Sequence, residues 1–216
     1  ALMRKVYVWM AMALAITGIV AYGAGSSPAL IQALYISKGP MLIAALVEFG
    51  IVWYLSSRIY KLSLASATLW FILFSAINGL TLGWIFAVYK IAIIAKTFFV
   101  TAGTFGAMAL IGSTTKKDLT KFGGVLFMAL IGLIIASLVN LFLHSSTMDY
   151  IVSIVGVLIF TGLTAWDAQA IKRNLLMAPD AGESAQKIAL LGSLSLYLDF
   201  INLFLYLLRF FGNNKN

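Results

Sequence analysis

The sequence predicts an all-α polytopic membrane protein, a bundle of seven transmembrane helices. Of its 216 residues, 62% are hydrophobic and only 10% are charged, whereas about 25% of the residues in a soluble domain are charged. Most of the chain falls in apolar runs of about 20 residues, the helix length that crosses roughly 30 Å of hydrocarbon. The runs are continuous and do not alternate with period two, which argues against a membrane β-barrel.

The charged residues divide the chain into its spans. The first span follows Arg4 and Lys5 and lacks a clear small-residue cleavage site, so we interpret it as a retained helix and not as a signal peptide. After it, "SSPALIQALYISKGP" holds two of the three prolines and predicts a surface loop with one amphipathic turn. All spans belong to a single transmembrane domain, 1–216. The predicted spans are about 6–25, 40–57, 64–89, 97–115, 122–143, 150–171 and 188–211.

Seven spans place the two chain ends on opposite sides of the membrane, and the basic residues orient them. The side of the N-terminus holds ten lysines and arginines and the other side five, which predicts a cytoplasmic N-terminus and an external C-terminus. This topology also explains the net charge of +8 without a nucleic-acid partner. The ten are Arg4, Lys5, Arg58, Lys61, Lys116, Lys117, Lys121, Lys172, Arg173 and Lys187; the five are Lys38, Lys90, Lys96, Arg209 and Lys215.

Three acids lie within the predicted spans, Glu48, Asp167 and Asp199. A charged acid at a helix centre costs about 2.5–3.5 kcal/mol on insertion scales, so such groups usually face the bundle interior and find a partner. Asp167, in "GLTAWDAQAIKRN", lies about one turn inside the cytoplasmic end of the sixth span. Each of the three is therefore a candidate functional residue.

Asp167 and Asp199 are on consecutive antiparallel spans, which are usually neighbours. If the two carboxyl groups meet in a low-dielectric site, both cannot easily be ionised, and the pair shares one proton and responds to cytoplasmic pH. Arg58, near the cytoplasmic end of the second span, can reach towards Asp167 as a competing partner. The alternative is two separate acids, each with its own partner, such as Asn202 for Asp199 or Lys172 for Asp167.

Small residues recur at the spacing of helix-packing faces. Gly79 with Gly83, and Ala102 with Gly106, are each four residues apart, a spacing that lets two membrane helices approach closely. We expect close helix contacts at these positions.

Five stretches from the third span onward form a recognisable series. They are "INGLTLGWIF" (77–86), "KTFFVTAGTFGAMALIGSTTKKDLTKFG" (96–123), "LIGLIIASLVNLFL" (130–143), "FTGLTAWDAQAIK" (160–172) and "LSLYLDFINLFLYLLRFFG" (194–212). Together and in order, they resemble bacterial members of the transmembrane Bax inhibitor motif family. The resemblance implies a seven-helix bundle with the last helix central, and a pH-sensitive calcium leak channel of the bacterial inner membrane. It further implies that Asp167 and Asp199 are the proton sensor and gate, that Arg58 is a latch and that Glu48 lies on the ion path.

The oxygen ligands inside the spans suit a permeant calcium ion better than a stored one. Calcium prefers six to eight oxygens, and the three carboxylates with a few amides offer only a loose, partly hydrated site. A weak site suits passage, because an ion must leave as readily as it enters. We expect calcium and protons as partners, weak calcium contacts at Glu48, Asp167 and Asp199, and no resident cofactor. The amides expected on the ion path are Asn78, Asn140, Gln169 and Asn202.

Catalysis is not expected. An intramembrane aspartyl protease resembles its relatives in a Gly-x-Gly-Asp motif, and here Asp199 follows Leu196, Tyr197 and Leu198. Nucleotide-binding and zinc-binding spacings are absent as well. Two alternatives to a channel stay open. They are a proton-coupled transporter, and a scaffold or stress-protection protein that acts through unidentified partner helices in the lipid bilayer.

Overall fold

The computed structural model describes residues 2–213, and within them the regular structure is entirely α-helical. Seven helical spans in this range are long and apolar enough to cross a membrane, with α4 and α5 together forming one of them. This confirms the predicted all-α membrane fold; Lys215, used in the orientation count, lies outside the described residues. The helices are α1 Leu2–Ser26, α2 Pro28–Leu34, α3 Lys38–Arg58, α4 Leu64–Leu82, α5 Trp84–Val88, α6 Ile91–Thr114, α7 Thr120–Leu143, α8 Ser146–Leu176 and α9 Glu183–Asn213.

The helices extend beyond the apolar runs that predict them. The sixth span, predicted at 150–171, is α8, which begins four residues earlier and ends five residues later. Asp149 lies in its first turn and Arg173 in its last turn, and charges of these signs stabilise the respective ends of a helix dipole. Glu183 does the same at the start of α9, the seventh span. The polar segment after α1 contains one short helix, α2, with Ser27 as its N-cap.

The described chain divides into two compact units. The first comprises the residues up to Ile91 together with Asn174–Tyr197. In this unit α1 packs along α4 and α5, and α3 packs against α4. A Cβ atom added at Gly79 would lie 2.7 Å from the carbonyl oxygen of Thr17, and one at Gly83 would lie 3.0 Å from that of Ala21. The close packing predicted at Gly79 and Gly83 is therefore confirmed.

The second unit comprises Ala92–Arg173 and the residues from Leu198 onward. Here α6 approaches α8 at Gly112, where an added Cβ would lie 2.8 Å from the Cα of Ala165. At Gly106 an added Cβ would have nothing within 4 Å. The close contact predicted at Gly106 is therefore wrong, because the face of α6 that meets α8 is the one carrying Gly112.

The last span is the most deeply buried of the seven in residues 2–213. Of the most apolar window of α9, 67% is buried, compared with 6% for that of α7. This is the burial expected for a central last helix. A side chain on α9 is consequently surrounded mainly by protein, whereas most side chains of α7 are exposed at the surface that lipid would cover.

Candidate functional site

The structure brings Asp167 of α8 and Asp199 of α9 together in the second unit. Their carboxyl groups lie within hydrogen-bonding reach of each other. Asp199 is 6% exposed, and its Oδ2 accepts no hydrogen bond from an amide or alcohol donor in residues 2–213. An ionised carboxylate has no hydrogen to donate, so a hydrogen bond between two carboxyl groups requires a proton on one of them. The arrangement suits a pair that holds one proton.

The partners that would keep the two acids separate are engaged elsewhere. Nδ2 of Asn202 donates to the carbonyl oxygen of Leu198 at 2.8 Å. Nζ of Lys172 donates to the carbonyl oxygen of Ser113 at 2.6 Å. In the described part of the chain, the only charged side chain that acts on either aspartate is the other aspartate. The structure therefore favours the paired arrangement over two separately bonded acids.

Helical periodicity explains why these two side chains meet. Gly156 precedes Asp167 by eleven residues on α8, about three turns, so both lie on one face. Tyr206 follows Asp199 by seven residues on α9, about two turns, so these two also share a face. A Cβ atom at Gly156 would lie 2.6 Å from Cγ of the Tyr206 ring. The absence of a side chain at Gly156 thus lets α9 lie close to the face of α8 that carries Asp167.

An ion pair joins the same two helices away from the aspartates. Arg209 of α9 pairs with Asp149 of α8, and their side chains are 33% and 30% exposed. Asp149 is eighteen residues before Asp167, five turns of helix, so it lies on the same face of α8. Sequence reasoning had placed Asp149 in a connection and missed this pair. The available signal was a pair of opposite charges at matching ends of consecutive antiparallel helices.

Gln169, expected on the ion path, ties the α6–α7 connection to α8. Its Oε1 accepts a hydrogen bond from the amide of Leu119 at 2.8 Å, and its Nε2 donates to the carbonyl oxygen of Lys117 at 2.8 Å. Both polar ends of this side chain are thus bound to the main chain. Gln169 acts in this structure as an anchor for the connection.

Replacing Gln169 with leucine is expected to loosen that connection. The two hydrogen bonds contribute about 1 kcal/mol each, so local opening should become about tenfold to thirtyfold more frequent, which is measurable as faster amide hydrogen exchange over residues 115–119. Gln32→Leu, which changes an exposed glutamine of α2, should leave that exchange as in the native protein. Native exchange rates in Gln169→Leu would contradict the anchoring role.

The same connection carries an exposed acid, Asp118. The pKa of the Asp118 carboxyl is held below its usual value. The main cause is the pair of hydrogen bonds from the side chain and the backbone amide of Thr120, and the charge of Arg173 contributes less. Asp118 is therefore ionised well below pH 5 and does not titrate between pH 5 and 8.

Glu48 and Asn78 lie in one polar cluster of the first unit. The hydroxyl of Thr81 is 2.9 Å from Oε1 of Glu48 and 2.8 Å from the carbonyl oxygen of Asn78. Nδ2 of Asn78 donates to the hydroxyl of Tyr197 at 2.7 Å. Sequence reasoning missed Thr81 and Tyr197, because an uncharged hydroxyl in an apolar span gives no signal of its own.

Two other predicted residues, Asn140 and Arg58, take no part in these hydrogen bonds. Oδ1 of Asn140 accepts a hydrogen bond from the amide of Ser145 at 3.0 Å, and so shapes the turn after α7. Arg58 ends α3 with an exposed side chain and forms no ion pair among residues 2–213. Its role as a latch stays a prediction. Over the same residues, no group of three potential metal ligands is found, so the calcium contacts also stay a prediction.

Comparison with known proteins gives relatives along the whole chain. The family model described as inhibitor of apoptosis-promoting Bax1 matches residues 1–216. The chain belongs to this Bax inhibitor family. It is 47% identical over 215 residues to the inner membrane protein YbhL of Escherichia coli K12, with 99% of this chain and 92% of YbhL covered.

Two further relatives come from other bacteria. An uncharacterized protein of Borreliella burgdorferi is 44% identical over 214 residues, covering 99% of this chain and 92% of its own. An uncharacterized membrane protein of Streptococcus pyogenes serotype M1 is 43% identical over 171 residues, which cover 79% of this chain and 73% of that protein. The resemblance seen in the sequence is thus confirmed as family membership. With its seven apolar helical spans, the chain is a membrane protein of the Bax inhibitor family.

Proposed function

We propose that this chain is a pH-sensitive calcium leak channel of the bacterial inner membrane, gated by Asp167 and Asp199. The observation that carries the proposal is the contact of two carboxyl groups inside apolar spans. A protein that needed only stability would gain nothing from this arrangement, because burying acids in the membrane is costly. The proposal assigns no catalysis to the chain, and its N-terminus is taken as cytoplasmic.

The proposed gate uses the shared proton. While one proton is held, the pair carries a single negative charge and a hydrogen bond joins α8 to α9. Loss of the proton leaves two negative charges side by side, a repulsion of about 4 kcal/mol at 4 Å for an effective dielectric constant of 20. This energy is large enough to shift a conformational equilibrium from one state to the other. Arg58 is proposed as the latch that competes for the freed carboxylate.

The proposed ion path begins with Glu48 and Asn78. The carboxylate of Glu48, the carbonyl oxygen of Asn78 and the hydroxyl of Thr81 lie together and offer a calcium ion fewer oxygens than the six to eight it prefers. Such a contact would be weak and would let the ion pass. The polar groups of Asn140, Gln169 and Asn202 are hydrogen-bonded to main-chain groups. We therefore propose them as ion contacts only after Glu48 and Asn78.

The test is calcium flux into proteoliposomes between pH 5 and 8. The native protein should show a flux that changes with pH. Asp167→Asn and Asp199→Asn should each show a flux that does not, because an amide stays neutral and can still donate a hydrogen bond to the remaining carboxylate. Asp180→Asn, which removes an acid from an exposed turn, should match the native protein.

Three results would overturn the proposal. The native protein could pass no calcium at any pH, or the Asp167→Asn and Asp199→Asn variants could keep the native pH dependence. Accumulation of calcium against its gradient, driven by a proton gradient, would identify a proton-coupled transporter in place of a leak. Asp118, whose pKa is held below its usual value, does not supply the pH dependence.

A further inference from the structure

A chain of buried hydrogen bonds in the first unit passes through α9, the helix that carries Asp199. The hydroxyl of Tyr197 accepts a hydrogen bond from Nδ2 of Asn78 at 2.7 Å and lies 2.5 Å from the hydroxyl oxygen of Thr17. The hydroxyl of Thr17 lies 2.8 Å from the carbonyl oxygen of Ser75 and donates to it. Since Thr17 has only that one hydrogen, Tyr197 must donate to Thr17. The chain therefore runs in one direction, through α4, α9, α1 and back to α4.

The ring of Tyr197 is fixed as firmly as its hydroxyl. Tyr197 is 0% exposed, and the rings of Phe71 and Phe74 meet it edge-on with centroids 6.0 and 5.9 Å away. A buried hydroxyl that loses its partners finds no water to replace them, so the loss is costly. Any rotation of this part of α9 has to break these hydrogen bonds.

A second contact holds the same face of α9. The hydroxyl oxygen of Ser193, one turn before Tyr197, lies 2.9 Å from the carbonyl oxygen of Val6 and 2.9 Å from that of Ala189, so these two acceptors share its one hydrogen. Residues four apart lie on one face of a helix, so Ser193 and Tyr197 both attach this face to α1. Two successive turns of α9 are thereby held.

Tyr197 and Asp199 are two residues apart, which is about 200° around the helix axis. Rotation that withdraws Asp199 from its partner therefore also moves Tyr197 out of its hydrogen bonds. We infer that Tyr197 is a positioning residue, whose hydrogen bonds to α1 and α4 hold α9 at the rotation at which Asp199 meets Asp167.

The inference rests on the proposed shared proton for its pH dependence, and on the proposed calcium leak only for its effect on flux. The hydroxyl of Tyr197 stabilises the paired state, so it raises the pH at which the pair separates. The charged groups around these side chains are few. Glu48, hydrogen-bonded to Thr81, is the one charged group that acts on Tyr197 among residues 2–213, and neither aspartate meets a charged group there other than its partner.

The chain contains no cysteine. A single introduced cysteine is therefore the only thiol in the protein, and its labelling reports on the position of α9. Ser193 is 0% exposed, so Ser193→Cys should react with a membrane-permeant maleimide only when α9 leaves α1. We expect Tyr197→Phe to lower the pH at which labelling begins by about one unit, a tenfold change in the balance of the two states. The pH midpoint of calcium flux should fall by the same amount.

Matched variants separate positioning from general damage. Thr17→Val should reproduce the shift, while Thr17→Ser, which keeps the hydroxyl, should retain the native profile. The shift of the double variant Thr17→Val/Tyr197→Phe should be smaller than the sum of the two single shifts, because each single variant already removes the hydrogen bond between Tyr197 and Thr17. Tyr22→Phe, which removes the hydroxyl of an exposed tyrosine of α1, should have no effect.

The outcomes keep the two proposals distinct. The positioning role would be overturned if labelling of Ser193→Cys began at the same pH in the protein with Tyr197 and in the Tyr197→Phe variant. It would also be overturned if neither protein were labelled at any pH. A shifted labelling profile in a protein that passes no calcium would support the positioning role and overturn the leak.

Discussion

Gly112→Ala is expected to destabilise the protein by about 3 kcal/mol, at the upper end of the range for overpacking a tight contact. The added Cβ would lie 2.8 Å from both the carbonyl carbon and the Cα of Ala165. These are main-chain atoms of α8 and cannot rotate away, so α6 and α8 would have to separate. Thermal unfolding in detergent should show a large fall in the midpoint, along with loss of the pH-dependent flux.

Gly106→Ala is the matched control for this prediction, since it makes the same change on the same helix. An added Cβ at Gly106 meets nothing within 4 Å, and alanine is favoured over glycine inside a helix by about 1 kcal/mol. We expect this variant to unfold at or slightly above the native midpoint. Equal midpoints for the two variants would show that the contact at Gly112 contributes nothing.

The second large effect is expected at the ion pair that joins α8 and α9. Arg209→Met should cost about 2 kcal/mol, less than the 3–5 kcal/mol for breaking a fully buried pair, because these side chains are 33% and 30% exposed. The loss arises because the variant removes the ion pair between Arg209 and Asp149. The double variant Arg209→Met/Asp149→Asn should recover most of the stability.

Lys96→Met provides the comparison for Arg209→Met. Nζ of Lys96 lies 5.2 Å from the centre of the Phe211 ring, a contact that contributes about 0.5–1 kcal/mol at an exposed site. Its loss should change the unfolding midpoint only slightly. If Arg209→Met is no more harmful than Lys96→Met, the ion pair does not hold the two helices together.

The number of spans and the presence of the acids were predictable because they depend on local chemistry. An apolar run of sufficient length crosses a membrane as helix wherever it lies in the fold. The same reasoning placed α8 correctly but ended it at residue 171, because hydropathy falls at Lys172 while the helical hydrogen bonds continue to Leu176. The close contact expected at Gly106 is absent for a related reason, since spacing alone does not say which face of α6 meets a neighbour.

The candidate site was predictable in its acids and not in its surroundings. Asp167 and Asp199 stood out because a carboxyl group in an apolar span requires an explanation. Gln169 and Asn140 were equally conspicuous as amides, yet the structure uses both to bind main-chain groups near helix ends. Tyr197 gave no such signal, because an aromatic residue in an apolar span is ordinarily a packing residue.

The sequence by itself determined the seven apolar spans, the resemblance to the Bax inhibitor family and the few side chains able to carry a proton or bind a cation. These properties follow from the kinds of residue and their order along the chain. Only the tertiary structure decided that Asp199 meets Asp167 and that Tyr197 is joined to Thr17 and Asn78. Such contacts depend on how each helix is rotated about its axis, and that rotation is set by packing between neighbouring helices, including the close approaches at Gly79, Gly112 and Gly156.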